Sequence, residues 1–174
     1  LGIVDLFTEH GLQIFGPTKT AAQLESSKAF AKNLLKKYQI PTGQFKTFES
    51  YTNAREYINN CNIPIVIKAD GLANGKGVYI AKTRDQAHEA IDLTMKTKIF
   101  GSAGNRIVIE EYLSGEEVSV FAFTDGKQVS QLIAACDYKR AYDNGEGPNT
   151  GGMGSYSPPA FWTSTLENII LNDI

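Results

Sequence analysis

Cysteine and histidine are scarce in this chain. Cys61 and Cys136 stand far apart with no Cys-x-x-Cys pair, and His10 and His88 are the only imidazoles. That scarcity argues against a zinc site and against a disulfide framework, and each cysteine reads as a small buried apolar residue. Long hydrophobic runs are missing as well, and no signal-peptide pattern appears, which predicts a soluble protein of a reducing compartment, the cytoplasm. Nor is there an excess of charge of one sign: 17 Lys and Arg stand against 19 Asp and Glu, a net charge of −2. This disfavours a dedicated nucleic-acid binder or a polybasic membrane surface, so an anion site has to be built locally from a few lysines. What remains is ordinary globular material. The 174 residues are 42% hydrophobic and 21% charged, enough for one domain or two small lobes.

Glycine, by contrast, is concentrated where it carries information. Residues 66–80 read VIKADGLANGKGVYI, two β-branched runs joined by a loop with Gly71, Gly75 and Gly77 and the lysines Lys68 and Lys76. Val66, Ile67, Val78 and Ile80 can anchor both ends in a sheet, while glycines without Cβ let backbone N–H groups turn toward anionic oxygens. A polyphosphate clamp follows, with a plain glycine-rich hairpin as the alternative. A Walker A loop does not fit, because Gly71 to Gly75 is one residue short and Gly77 stands where the Mg²⁺-binding hydroxyl belongs. A dinucleotide fingerprint does not fit either: Gly75-x-Gly77 lacks its third glycine and no helix starts there.

Around that loop the pattern is mixed α+β. Residues 2–10 read as a short amphipathic helix closed by Gly11, and residues 12–15 as a buried strand ending at Gly16-Pro17. Thr20 and Gln23 have capping-box spacing for one helix running to Tyr38, with Lys28 inside it. Strands are predicted at 43–48, 65–69 and 106–110. Helices are predicted at 50–60 and, from the Thr83/Gln86 capping box, through Ala87, Ala90, Ile91 and Met95. Residues 117–124 and 127–133 form a hairpin through Asp125-Gly126. Glu110, Glu111, Glu116 and Glu117 cluster at a strand end; this is either a solvated edge or a carboxylate able to accept from ribose hydroxyls beside backbone that reads an adenine edge. The run from Gly145 to Gly154 is too dense in glycine for a helix. It reads as a binding loop, in which Asn149 and Thr150 orient sugar hydroxyls or phosphate oxygens, or as a flexible connector.

Taken in order, the segments GPTKTAAQLESSK, IPTGQF, VIKADGLANGKGVYIAK, IVIEEYLSGEEVSVFAFTDGK and DYKRAYDNGEGPNTGGMGSYSP resemble the phosphoribosylamine–glycine ligases, also called glycinamide ribonucleotide synthetases. The resemblance spans nearly the whole chain and implies an α+β ATP-grasp fold in which two lobes hold ATP between them. It implies roles as well. Lys28 and Lys68 would contact ATP and stabilise phosphate charge. Gly71, Gly75, Lys76 and Gly77 would close over the triphosphate. Glu110, Glu111, Leu113 and Glu117 would serve adenine and ribose, and Asp137, Lys139, Arg140, Asn149, Thr150, Gly151, Gly152 and Met153 would face the phosphoribosylamine. No protein nucleophile is implied.

The implied reaction joins glycine to 5-phosphoribosylamine through a glycyl phosphate, converting ATP to ADP and phosphate with Mg²⁺ (or Mn²⁺) in the full-length parent. No obligate protein partner is expected. Two departures stand out. The family's chains are more than twice as long, so a glycine-rich amino-terminal domain and the acidic strand that binds the metal are expected outside this chain, with no metal ligands inside it. Tyr138 stands where the family commonly has histidine. The expected organisation is a tail of a first domain at 1–17, a helical linker at 18–44, a complete lid lobe at 45–115 and an incomplete central lobe at 116–174. The alternatives are a nucleotide-binding piece without turnover and another ATP-grasp carboxylate–amine ligase.

Overall fold

The structure, a computed structural model, describes residues 2–73, 76–143 and 146–174, with only the backbone of 148 and 149. It divides into two compact units, one running to Leu113 and the other covering Ser114–Ile174. The first opens with α1 (Ile3–Glu9), after which Gly11 adopts the positive φ of 65° that the sequence reserves for glycine. The strand expected at 12–15 is absent: that stretch has no regular structure and leaves Leu12 and Phe15 exposed. An apolar run makes a buried strand only where a sheet edge accepts it, and no described strand offers one here.

The long helix expected up to Tyr38 is broken in two. A short α2 (Gln23–Ser26) ends where Ser27 turns extended (φ −137°, ψ 109°), and α3 (Lys28–Lys37) begins anew. Ser27 is the N-cap of α3, its hydroxyl accepting from the Phe30 amide at 3.1 Å. A hydroxyl that accepts a first-turn amide satisfies one of the donors that a helix start leaves open, which is what lets α3 begin here.

From here the alternation foreseen in the sequence is largely realised. β1 (Phe45–Phe48), α4 (Tyr51–Asn60, capped by Ser50), β2 (Ile65–Ala69), β3 (Val78–Ala81), α5 (Arg84–Ile91, capped by Thr83) and β4 (Ile107–Glu111) follow in order. After α5 the chain widens into one π-helical turn, Asp92–Lys96, from which Met95 reaches the core. The strands form an antiparallel sheet of order β1-β4-β2-β3. Because side chains alternate across a strand, Ile65, Ile67, Ile107 and Ile109 share one face, where Ala54 and Ile58 of α4 and Ala87, Ala90 and Ile91 of α5 cover them. This is the core, and fully burying one such isoleucine contributes about 1.5–3 kcal/mol.

The second unit carries shorter strands. β5 (Ser119–Phe121) pairs with β6 (Ile133–Asp137), β6 with β9 (Ser155–Tyr156), and β7 (Arg140–Tyr142) with β8 (Glu146–Asn149); α6 (Ser164–Asp173) follows. The hairpin around Asp125-Gly126 exists, but its return strand lies at 133–137 rather than 127–133, with a lone bridge between Thr124 and Val129. Only Gly126 of the dipeptide takes positive φ, and Asp125 Oδ1 accepts the Lys127 and Gln128 amides. The turn is closed by a side chain, which frees it from the strict two-residue geometry that fixes register. Among the described residues no helix is long and apolar enough to cross a membrane.

Candidate functional site

The sheet of the first unit has a second face. Pairing places Phe45, Glu110, Val66 and Ile80 in one row and Thr47, Val108, Lys68 and Val78 in the next. Helix α3 crosses the β4 side of that face, burying Ala29 and Val108. On the β3 side Val78 and Ile80 stay 40% and 41% exposed. An apolar strip is thus left open beside a lysine, which suits a flat apolar ring carrying an anionic tail.

Three charged groups meet in the middle. Glu110, whose side chain is 5% exposed, is ion-paired through Oε2 with Lys32 and through Oε1 with Lys68. Lys68 rises from β2 on the same face as Glu110, while Lys32 descends from α3 and also donates to Thr42 Oγ1 at 2.8 Å and to the Gly43 carbonyl at 3.5 Å. A buried carboxylate costs several kcal/mol unless paired, so the two ammoniums explain how Glu110 is tolerated. Glu110, foreseen as a nucleotide contact, has both oxygens committed to lysines.

A second acid organises the root of the glycine loop. Asp70, with a side chain 6% exposed, accepts from Ser27 Oγ at 3.0 Å, from the Ala29 amide at 3.0 Å and from Arg106 Nε at 2.6 Å. Burial pushes its carboxyl up, but the hydrogen bonds from Ala29, Arg106 and Ser27 outweigh burial and hold it below the ordinary carboxylate range. Lys28, next to the cap, donates to the Gly71 carbonyl at 3.0 Å. Lys28 and Lys68, 40 positions apart in the numbering, therefore flank the same loop root, one from the helix and one from the strand. Gly71 takes a φ of +124°, and a Cβ on Gly77 would meet Ala73 Cβ at 2.6 Å, so both glycines are demanded by the backbone. Lys76 is exposed, and Gly75 lies outside the described residues.

At the end of β4, Glu111 faces backward. Its Oε1 accepts the Gln44 amide at 2.8 Å while its own amide donates to the Gln44 carbonyl at 2.9 Å. Leu113 is exposed at the close of the first unit. Glu117 belongs to the second unit, where its carboxylate is exposed, 3.8 Å from Lys139 Nζ.

In the second unit the glycine run is no loose connector. Thr150 donates its amide (2.6 Å) and hydroxyl (3.0 Å) to the Lys139 carbonyl and accepts the Gly152 amide at 3.1 Å; Met153 donates to the Tyr138 carbonyl. Arg140 pairs with Asn149 across β7 and β8 and donates to the Gly147 carbonyl at 2.8 Å. Asp137 is ion-paired with Lys139 at 3.4 Å, and Gly152, with a φ of +102°, lies beside Asp137, while Gly151 stands in open space. The eight residues expected to face the phosphoribosylamine thus lie on the β7–β8 hairpin or on the segments that enter and leave it, with Asp137 at the end of β6, although the Asn149 side chain lies outside the described residues. Tyr138 stacks on Tyr156 at 5.5 Å. Among the described residues no three His, Cys, Asp or Glu side chains converge to hold a metal ion, so the residues here do not fit a complete metal centre.

Sequence reasoning missed Ser27, Lys32, Asp70 and Arg106. Lys32 had a signal, being four residues after Lys28 on one helix face. Asp70 and Arg106 had none, since their pairing spans 36 residues.

A four-stranded antiparallel sheet backed by two helices, with a glycine loop between β2, which bears Lys68, and β3, is the architecture of the smaller lobe of an ATP-grasp fold. The solved D-alanyl-alanine synthetase A of Vibrio cholerae shares that fold with a TM-score of 0.70 at 17% identity, covering 98% of this chain and 52% of that one. The chain belongs to the phosphoribosylglycinamide synthetase ATP-grasp (A) domain family, whose model matches residues 26–174. It is 54% identical over 170 residues to a phosphoribosylamine–glycine ligase of Halalkalibacterium halodurans, covering 97% of this chain and 40% of that protein. It is 51% identical to that of Ralstonia nicotianae, covering 99% of this chain and 41% of the relative. The crystal structure of the Thermotoga maritima phosphoribosylamine–glycine ligase matches with a TM-score of 0.75 and 42% identity, over 81% of this chain and 36% of that one. The chain thus spans about 40% of the length of the curated relatives it matches. Members of this fold use ATP with a divalent metal.

Proposed function

We propose that the protein to which this chain belongs joins glycine to 5-phosphoribosylamine at the expense of ATP, releasing ADP and phosphate, in purine biosynthesis in the cytoplasm. The observation that carries this reading is Lys68, held by Glu110 on an open apolar sheet face beside the root of the glycine loop. Adenine would lie on Val78 and Ile80, with the polyphosphate running toward Lys68, Lys28 and the loop. The glycine carboxylate oxygen attacks the γ-phosphorus and ADP leaves. The amine of phosphoribosylamine then attacks the acyl carbon, loses a proton and expels phosphate. Lysines aimed at the transferring group offset its developing charge, and a closed glycine loop keeps water from the acyl phosphate. On the second unit, Arg140, Lys139 and the Thr150 hairpin would receive the phosphoribosylamine. Mg²⁺, or Mn²⁺, is the proposed metal, and its ligand set is not gathered among the described residues.

The test is ADP release by the full-length protein, expected to require both glycine and phosphoribosylamine. Release that depends on another acid or amine would refute the assignment. The incomplete metal ligand set favours a second statement about the chain alone: it binds ATP without turning it over, which calorimetry paired with an ADP assay would check.

A further inference from the structure

Lys32 and Lys68 share one carboxylate, yet they are not equivalent. Lys32 is 15% exposed and has three acceptors: Glu110, Thr42 Oγ1 and the Gly43 carbonyl. An ammonium has three hydrogens, so Lys32 has nothing left to offer a ligand. Lys68 is 29% exposed, and among the described residues Glu110 is its only partner. Two of its hydrogens remain for a ligand on the open side of the sheet. Charge divides in the same way. One buried carboxylate between two ammoniums leaves a net charge of +1, and only Lys68 can present it.

Resting on the reading of this face as the nucleotide site, we propose that Lys32 is a positioning residue. It neutralises Glu110 from the linker helix, so that Glu110 aims Lys68 at the polyphosphate without cancelling its charge. Neither Lys32 nor Glu110 touches the nucleotide. With Lys32 gone, Glu110 and Lys68 form a neutral pair and the site loses one unit of attraction for an anion. With Glu110 gone, two ammoniums face each other and Lys68 loses its anchor. With both gone, one ammonium remains at Lys68 and the net charge of the intact cluster is restored.

That last relation sets the experiment: calorimetric titration of the chain with ATP, comparing wild type, Lys32→Met, Glu110→Gln and the double variant, alongside the thermal midpoint of each without ligand. Lys32→Met is expected to raise the Kd for ATP about tenfold or more, as for losing a unit charge at an effective dielectric of about 20. The double variant is expected to bind more tightly than Lys32→Met, recovering most of the loss, even if its thermal midpoint is lower. A purely structural role predicts the opposite, with affinity tracking the midpoint and no recovery. Unchanged affinity in Lys32→Met, or a double variant no better than that single, would overturn the inference while leaving the nucleotide site standing. Failure of the wild type to bind ATP would remove the site itself and the inference with it.

Discussion

Replacing Asp70 by Asn tests the junction between the linker helix and the lid. Asn keeps the shape and one carbonyl oxygen, which can still accept from Ser27 and the Ala29 amide. It loses the charge facing Arg106 and turns an NH₂ toward a guanidinium that also only donates. A hydrogen bond to a charged group contributes about 1.5–3 kcal/mol net. Arg106 is 41% exposed and can retreat into water, which puts the loss at the low end of that range. The carboxylate also sits at the N-terminus of α3, where a negative charge contributes about 0.5 kcal/mol more. The expected cost is therefore ~2 kcal/mol near neutral pH, read by urea unfolding, with faster hydrogen exchange in the first turn of α3. The pH dependence has a definite sign. A carboxyl held below its unfolded value, which is about 3.9, contributes fully above that value and loses its contribution as pH falls toward the folded one. Asn has no such dependence, so the gap between the two proteins narrows as the solution is acidified below about pH 4. A cost under about 0.5 kcal/mol near neutrality, or a gap that persists undiminished in acid, would refute the reasoning.

Two further outcomes follow from the same structure. Gly77→Ala places a Cβ 2.6 Å from Ala73 Cβ and 3.1 Å from Ala69 Cβ; the root of the loop must spread, at about 1–3 kcal/mol. Urea unfolding would show the loss and calorimetry a weaker ATP site, whereas a neutral result would mean that the loop root is not closed as described. Thr150→Val keeps the volume but removes the hydroxyl that donates to the Lys139 carbonyl and accepts the Gly152 amide. In the full-length protein the KM for phosphoribosylamine is expected to rise with the KM for ATP unchanged, and a rise in the ATP value alone would contradict the assignment of that hairpin.

Local rules were enough for much of this architecture. Ser50 and Thr83 sit where capping residues should, Gly11 stops its helix, and the β-branched runs within 65–69 and 107–111 form strands. The glycines at 71 and 77 and Lys68 could be picked out because a phosphate-binding loop needs those residue types close together in the chain, whereas Lys28, 40 positions away, is singled out only by the resemblance to the family. Three readings failed. Residues 12–15 have strand composition but, among the described residues, no sheet edge to join, while Ser27 breaks a helical pattern to cap a helix and the Asp125 side chain resets the register of the hairpin that follows it, each through hydrogen bonds that a periodicity does not show.

The sequence by itself determined the α+β alternation, the glycine loop and the family, since each rests on residues close together or on segments kept in order. Tertiary structure alone decided which charged groups meet. Only when β4 lies between β1 and β2, and α3 crosses that face, does Glu110 meet both Lys32 and Lys68, and only then does Asp70 meet Ser27 and Arg106. Such pairings depend on register and on helix placement across dozens of residues, and a period of two or of 3.6 carries no record of either.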